Sequence, residues 1–342
     1  MKIGQVAPLW ERVPPKRYGG TERIVSYLTE ELVDRGHDVT LFASGDSITS
    51  ARLVAPCVQS LRTDEQSLDP MAPHILMFEQ VLQRADDLDI VHFHTDYVQF
   101  PMMRRHSVPH VTTLHGRLDI PELAPLYREF DDEPVVSISN SHRGPLPWAH
   151  WQATIYHGIP EDLYAPRPTS GSYLAFLGRI SPEKGADAAI AIARQVGMPL
   201  KIAAKIGEPD RRYFEAAIKP LLRDPLVEFL GEIDDGEKQR LLGEAAALLF
   251  PIDWPEPFGL VLIEAMACGT PVIAFRRGSV PEVIDDGITG FVVDDVAGAV
   301  RAFERVATFD RVRCRRVFEE RFSARRMAED HLVLYQKLIE AK

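Results

Sequence analysis

The chain has 342 residues, 45% of them hydrophobic and 26% charged, which is enough for two well-buried cores at roughly 150 residues per domain and too long for a small disulfide-stapled module. Its formal net charge is −11, and the deficit is concentrated early: 14 basic and 23 acidic residues up to Tyr164, then 25 and 27. Such a first half argues against long-range attraction to nucleic acid or anionic lipid.

Cys57, Cys268 and Cys314 are far apart and form no Cys-x-x-Cys or Cys/His pattern of the zinc kind, which fits a reducing, cytoplasmic setting. The opening MKIGQVAPLW is interrupted by Pro8 and Glu11 too early for a signal peptide. No apolar run approaches the roughly 18 residues of a membrane span. A soluble protein without an integral membrane segment, at most loosely membrane-associated, is expected.

Short apolar runs alternate with longer amphipathic stretches, the pattern of strands and crossover helices in a parallel sheet, so the expected class is α/β. Lys2 to Ala7 reads as the first strand. Thr21 to Arg35 reads as a helix with Ile24, Val25, Leu28 and Leu32 on one face, stopped by Gly36. Further strands are expected at 38–43, 90–94, 108–114 and 135–139. Around 156–172, with Pro160, Pro166 and Pro168 and no periodicity, the chain reads as a linker. A second series is expected at 173–177, 200–204, 227–230, 247–251, 271–275 and 290–293. The segment from Ala299 to Lys342 reads as two or three helices, with Met327, Leu332, Leu334, Tyr335 and Leu338 spaced for packing. The expected domains are 1–164 and 165–342, both doubly wound and Rossmann-like, facing a cleft, with C-terminal helices that can cross back to the first. Open parallel sheets present their strand carboxyl ends to such crevices.

The most informative stretch is PEPFGLVLIEAMACGTPV, from Pro255 to Val272. Glu256 falls in a loop and Glu264 about one turn into a helix starting near Gly259. The backbone N–H groups of Phe258, Gly259, Leu260 and Val261 would be unsatisfied donors at that helix start, suited to a diphosphate. Glu264 could then accept from ribose hydroxyls and Glu256 from sugar hydroxyls. The same spacing also fits a helix that carries Glu near its N-terminus for dipole reasons alone.

Glu256-x7-Glu264 with Pro257-Phe258-Gly259 and Ala267-Cys268-Gly269-Thr270-Pro271-Val272 resembles the signature of glycosyltransferase family 4, retaining enzymes of the two-domain GT-B fold. Tyr18-Gly19-Gly20-Thr21-Glu22, Gly36-His37-Asp38-Val39, His115-Gly116 and Gly178-Arg179 followed by Lys184-Gly185 match in the family's order, so the resemblance runs from Lys2 to about Val293. It implies that Arg179 and Lys184 stabilise charge on a leaving nucleoside diphosphate. It further implies that the Gly19-Gly20 loop lies opposite the donor diphosphate, and that His115 contacts the donor sugar rather than acting as a base. Read alone, the two cations are surface charges as readily, and the two glycines a simple turn in which Thr21 caps the helix.

Lys205, in IAAKIGEP, departs from the expected glycine-rich turn; it is a third donor contact or a solvated lysine. His92 and His94 share a strand face and with Asp96 invite a metal reading, yet two His at i, i+2 lack a clear third and fourth ligand. His94, Asp96, Arg117 and the loop Pro14-Pro15-Lys16-Arg17 are acceptor candidates. Asp87-Leu88-Asp89 has the DxD form of metal-dependent glycosyltransferases but precedes a strand, so a solvated turn and no metal are expected. Cys268 is expected to be a packed residue. The arginines between Arg301 and Arg326, alternating with Glu304, Glu319 and Glu320, are expected on a solvated helical face.

The expectation is therefore a retaining hexosyltransferase that needs no metal and no cofactor. It would move a sugar from a nucleoside diphosphate, UDP- or GDP-linked, to an acceptor hydroxyl of a glycan, a lipid-linked species or a small molecule. The resemblance implies front-face attack, with a donor phosphate oxygen taking the acceptor proton, and domain closure about the Pro160–Pro168 linker to exclude water. Two rival readings are a sugar-nucleotide epimerase or phosphorylase of the same fold and a non-catalytic sugar-nucleotide-binding protein. A nicotinamide oxidoreductase is disfavoured because neither first strand leads into GxGxxG.

Overall fold

The computed structural model describes residues 1–17, 19–64 and 68–341. β-Branched and other apolar runs form its strands, and the chain divides into two units, Met1–Pro160 with Ala324–Lys342, and Glu161–Ser323. The division falls just before the expected 164/165 boundary, and the last helix, Ala324–Glu340, belongs to the first unit.

In the first unit the strands are β1 (Lys2–Val6), β2 (Asp38–Phe42), β3 (Arg52–Val54), β4 (Ile90–Phe93), β5 (His110–Thr113), β6 (Val135–Ser137) and β7 (Trp151–Thr154). Their order is β3-β2-β1-β4-β5-β6-β7, all parallel. β4 and β6 are buried along their whole length, which is why they read as continuous rather than alternating runs. The short edge strands β3 and β7 were not anticipated: RLV and WQAT are half-exposed and carry no apolar run. The helix Gly20–Asp34 buries Ile24, Val25, Leu28 and Leu32. It ends at Gly36, whose φ of +80° lets the N–H groups of Gly36 and His37 reach back to Val33 and Leu32. Its N-cap is Gly19, at φ +144°, with no side-chain cap, so Thr21 lies inside the helix rather than capping it.

The second unit contains β8 (Leu174–Ile180), β9 (Leu200–Ile206), β10 (Val227–Gly231), β11 (Ala247–Phe250), β12 (Val272–Phe275) and β13 (Gly290–Val293). The order is β10-β9-β8-β11-β12-β13, again parallel. Leu174, Ile190, Ile202, Leu249 and Ile273 sit in its core. Chain order reverses between β1 and β4 in one sheet and between β8 and β11 in the other. At such a switch point successive crossovers leave on opposite faces, so each sheet has a crevice beyond the carboxyl ends of those strands.

Two expectations are refined. The Pro-rich stretch carries the division between the units and forms no helix or strand, but it is tied down rather than loose: Ile159 and Tyr164 are buried and Arg315 donates to the carbonyls of Glu161 and Tyr164. The late arginines form a solvated face only in part: Arg301, Arg305, Arg313, Arg316 and Arg325 are exposed, whereas Arg311, Arg315, Arg321 and Arg326 are turned to the protein. Arg311 is buried and donates to the carbonyls of Arg167, Gly243 and Ala245 and to Thr270 Oγ1. Arg321 clamps Glu282 and Asp285, and Arg326 reaches the carbonyls of Tyr156 and His157. These guanidinium groups satisfy loop carbonyls that no sheet or helix serves.

Candidate active site

In the second unit, the loops leaving β8 and β11 approach each other at the switch point. Gly185 adopts φ +71°, and a Cβ there would lie 2.1 Å from the Pro251 carbonyl oxygen, so only glycine allows this approach. The Asp253 N–H donates to the Glu183 carbonyl. This contact delivers Lys184 Nζ to Glu256 Oε2 at 2.5 Å. Trp254 Nε1 donates to the same oxygen at 3.0 Å, and the ammonium lies 5.0 Å from the indole centroid. Gly278, at φ +54°, accepts Glu256 so closely that a Cβ would stand 2.4 Å from its backbone N and O. The Glu256 carbonyl accepts the Ser279 N–H, and Ser279 Oγ donates to the Phe258 carbonyl.

The same loop runs into the helix Leu260–Ala267. Gly259 is its N-cap in the left-handed region, φ +80°, with no side-chain cap. Gly259, Leu260 and Val261 are half-buried, while Phe258 is buried against Phe322. The helix start thus presents backbone donors together with a favourable partial positive charge. Glu264, one turn in, is 4% exposed. Its Oε1 accepts from Lys238 Nζ at 2.8 Å and from Tyr164 OH at 3.4 Å. Cys268 packs at the end of this helix, and burial pushes its thiol up to about 12, so it is not a nucleophile at neutral pH.

Arg179, near the end of β8, donates from Nη2 to Glu183 Oε1 at 2.8 Å, and its Nε contacts Asp210 Oδ2 at 3.3 Å. Lys205 occupies the equivalent place on neighbouring β9, where it contacts Glu232 at 3.6 Å. Lys184, Glu256 and Trp254 therefore form one cluster, with Arg179 joined to it through Glu183, whereas Lys205 has its own partner. Lys238, Tyr164 and Trp254 were not singled out from the sequence. Lys238 lies on the polar helix Asp235–Gly243, where nothing marks one lysine, but Trp254, two residues before Glu256, was available to notice.

The first unit gathers its candidates at the carboxyl ends of β4 and β5. His94 Nδ1 and His115 Nε2 are 2.9 Å apart, and His157 stacks on His115 with centroids 5.1 Å apart. Asp96 has φ +55°, rare for a residue with a side chain, and its carboxylate accepts the His115 backbone N–H. Desolvation raises Asp96 to about 6, a shift that solvent moderates because the residue itself is exposed. Burial holds His115 down at about 3, and His94 is likewise depressed; both are neutral near pH 7. Arg117 is turned to Asp119 by two hydrogen bonds of 2.8 Å. Gly19 and Gly20 open the helix beyond β1. Tyr18 lies outside the described residues.

Asp89 does not face a strand carboxyl end; it accepts the Lys2 N–H at 2.7 Å, at the amino end of the sheet. Among the described residues no group of three His, Cys, Asp or Glu side chains is arranged to hold a metal ion. No helix among them is long and apolar enough to cross a membrane.

The family model described as Glycosyltransferase Family 4 matches residues 18–192, and that described as Glycosyl transferases group 1 matches 165–308. The chain is 28% identical to a glycogen synthase of Mycobacterium tuberculosis, over 87% of this chain and 84% of that protein. It is 26% identical to a phosphatidyl-myo-inositol mannosyltransferase of Mycolicibacterium smegmatis, over 92% and 86%. Among solved structures, it resembles a sucrose-phosphate synthase from Thermosynechococcus elongatus (TM-score 0.82, 20% identity, all of both chains). It also resembles Anabaena HepE in complex with UDP and glucose (TM-score 0.75, 17% identity, 98% and 100% covered); these two likenesses concern the fold. With half the sequence matched by one family model and most of the remainder by its companion, the chain belongs to glycosyltransferase family 4 and is a glycosyltransferase of the GT-B fold.

Proposed function

We propose that the protein is a retaining, metal-independent glycosyltransferase that takes a sugar from a nucleoside diphosphate and passes it to an acceptor hydroxyl. The observation that carries this reading is the meeting of Lys184 and Glu256 at the β8/β11 switch point, beside the open N-terminus of Leu260–Ala267. A diphosphate at that helix start is met by backbone N–H groups and by Lys184, with Arg179 adding a second cation. Glu256 then accepts from sugar hydroxyls and Glu264 from ribose hydroxyls. On the first unit, His115 is the sugar contact and His94, Asp96 and Arg117 serve the acceptor.

The cationic cluster stabilises charge as the bond to the diphosphate breaks. Glu256, held by Lys184 and Trp254, orients the sugar. Membership of the family supports front-face transfer, in which a phosphate oxygen takes the acceptor proton and positioning supplies much of the rate. HepE, crystallised with UDP and glucose, favours a uridine nucleotide as the first donor to try. A thermal-shift panel of UDP-, GDP- and ADP-sugars tests the reading, because ligand at about 100 times its dissociation constant adds roughly 2.7 kcal/mol of stability. Stabilisation by one class, followed by transfer with retained anomeric configuration in the presence of a chelator, is the expected result. No shift with any of them ends the donor assignment, and activity that vanishes with chelator and returns with Mn²⁺ ends the metal-free one.

A further inference from the structure

Six side chains of the first unit form one polar chain from the final helix to the ends of β4 and β5. Thr113 Oγ1 lies 2.7 Å from His92 Nε2, and His92 Nδ1 lies 2.6 Å from Tyr335 OH. Gln5 Nε2 donates to Tyr335 OH at 3.0 Å, Gln5 Oε1 lies 3.0 Å from His94 Nε2, and His94 Nδ1 reaches His115 Nε2. All are buried except His115, which is half-buried. His331 stands 5.0 Å from His92 and His157 stacks on His115. Arg326 spends its guanidinium on Asp330 and the carbonyls of residues 156 and 157.

A neutral imidazole has one donor and one acceptor nitrogen, so fixing one member of such a chain fixes the rest. The amide N–H of Gln5 is spent on Tyr335, so its carbonyl oxygen must accept from His94 Nε2. His94 Nδ1 is then a bare acceptor, and the proton between the two rings belongs to His115 Nε2. What is left is His115 Nδ1, a buried atom with no partner among the described residues. Running the chain in reverse would leave an unpaired N–H at that place, and orphaned buried N–H groups are the rarer case.

We propose that Gln5 and Tyr335 are positioning residues which, acting through His94, hold His115 in the Nε2–H tautomer and keep Nδ1 an unprotonated acceptor, which a sugar hydroxyl meets once donor binding uncovers the ring. The last clause rests on the sugar-transfer reading above; the tautomer does not. Tyr335→Phe removes the acceptor for the Gln5 amide N–H. The amide then gains by turning that N–H toward His94, which reverses the chain and moves the His115 proton to Nδ1.

The experiment is a long-range ¹H–¹⁵N correlation spectrum of the full chain with ¹⁵N-labelled histidine, at neutral pH and without ligand, for the parent, Tyr335→Phe and Gln5→Met, with His115 assigned by its loss in His115→Asn. The expected result is a parent His115 protonated at Nε2, a Tyr335→Phe ring moved toward protonation at Nδ1, and a mixture in Gln5→Met. A parent His115 protonated at Nδ1, or a Tyr335→Phe spectrum unchanged at His115, overturns the proposal; the parent measurement decides the first point even if a variant does not fold. Where a donor has been found, Tyr335→Phe is further expected to lower kcat/KM at least tenfold at a temperature where its melting curve shows it still folded. A confirmed tautomer with no donor bound would leave the relay standing and remove the sugar-transfer reading instead.

Discussion

Lys184 Nζ and Glu256 Oε2 lie 2.5 Å apart although 72 residues separate them in the chain. The pair is mostly shielded, with side-chain exposures of 20% and 12%, so each charge depends on the other for solvation that water does not supply. Lys184→Met and Glu256→Gln are each expected to lower kcat by about 100-fold or more, the usual size for losing one charge-stabilising group. Release of nucleoside diphosphate from the donor measures this, and a variant of undiminished kcat takes its residue out of the chemistry.

Glu264 is expected to act on binding more than on turnover. Its removal leaves Lys238 with Asp235 at 3.5 Å, so the lysine is not stranded and the fold survives. Donor affinity measured by titration calorimetry is expected to fall about tenfold in Glu264→Ala, equivalent to about 1.4 kcal/mol. Unchanged affinity removes the ribose role.

Gly185→Ala tests the approach of the two loops. The added methyl would meet the Pro251 carbonyl at a left-handed backbone position, so a loss of more than about 1 kcal/mol in urea unfolding is expected. Activity is expected to fall with it, because Lys184 is the adjacent residue.

Arg311→Met should be more costly still. It strands the three carbonyls that Arg311 serves and leaves the Thr270 hydroxyl with the Leu242 carbonyl alone, for an expected loss of about 3 kcal/mol. A midpoint within a few tenths of a kcal/mol of the parent would show that solvent replaces the guanidinium.

Glu22 sets a pH dependence of its own. Burial raises its carboxyl to about 7 from an ordinary 4.5. The native state therefore holds this proton where the unfolded chain has lost it, so the contribution to stability is full below pH 4.5 and disappears as pH rises through about 7. Glu22→Gln, with nothing to titrate, is expected to gain about 1–3 kcal/mol on the parent at pH 8 relative to pH 4.5. An equal difference at both pH values would contradict the shift. The buried histidines work in the other direction. Burial holds His115 at about 3, and His142 and His331 at about 4. The unfolded chain protonates first, so their contribution is full above about pH 6.5 and is lost as pH falls toward 4.

The α/β class, the interior strands and the family were legible because each rests on local information: β-branched runs for strands buried on both faces, and the spacing of Glu256 and Glu264 around a glycine-opened helix. The edge strands β3 and β7 were missed, since half-exposed strands need no apolar run. Arg311, Arg315, Arg321 and Arg326 depart from the solvated face expected of the late arginines because a charge pattern along one helix does not reveal the loop carbonyls that an approaching segment will need served.

The chain has two cores and an acidic first half, but it returns to its first unit at Ala324, so acidic and apolar residues do not divide cleanly at one point in the sequence. Residue type and spacing, together with the family resemblance they carry, nominated Lys184, Glu256 and Glu264, because helix starts and phosphate-binding chemistry are local properties. Only folding could decide that Lys184 faces Glu256, that Lys238 and Tyr164 hold Glu264, and that Tyr335 on the last helix communicates with His115. Those pairings join residues tens to hundreds of positions apart, and close packing of crossover helices on twisted parallel sheets sets them.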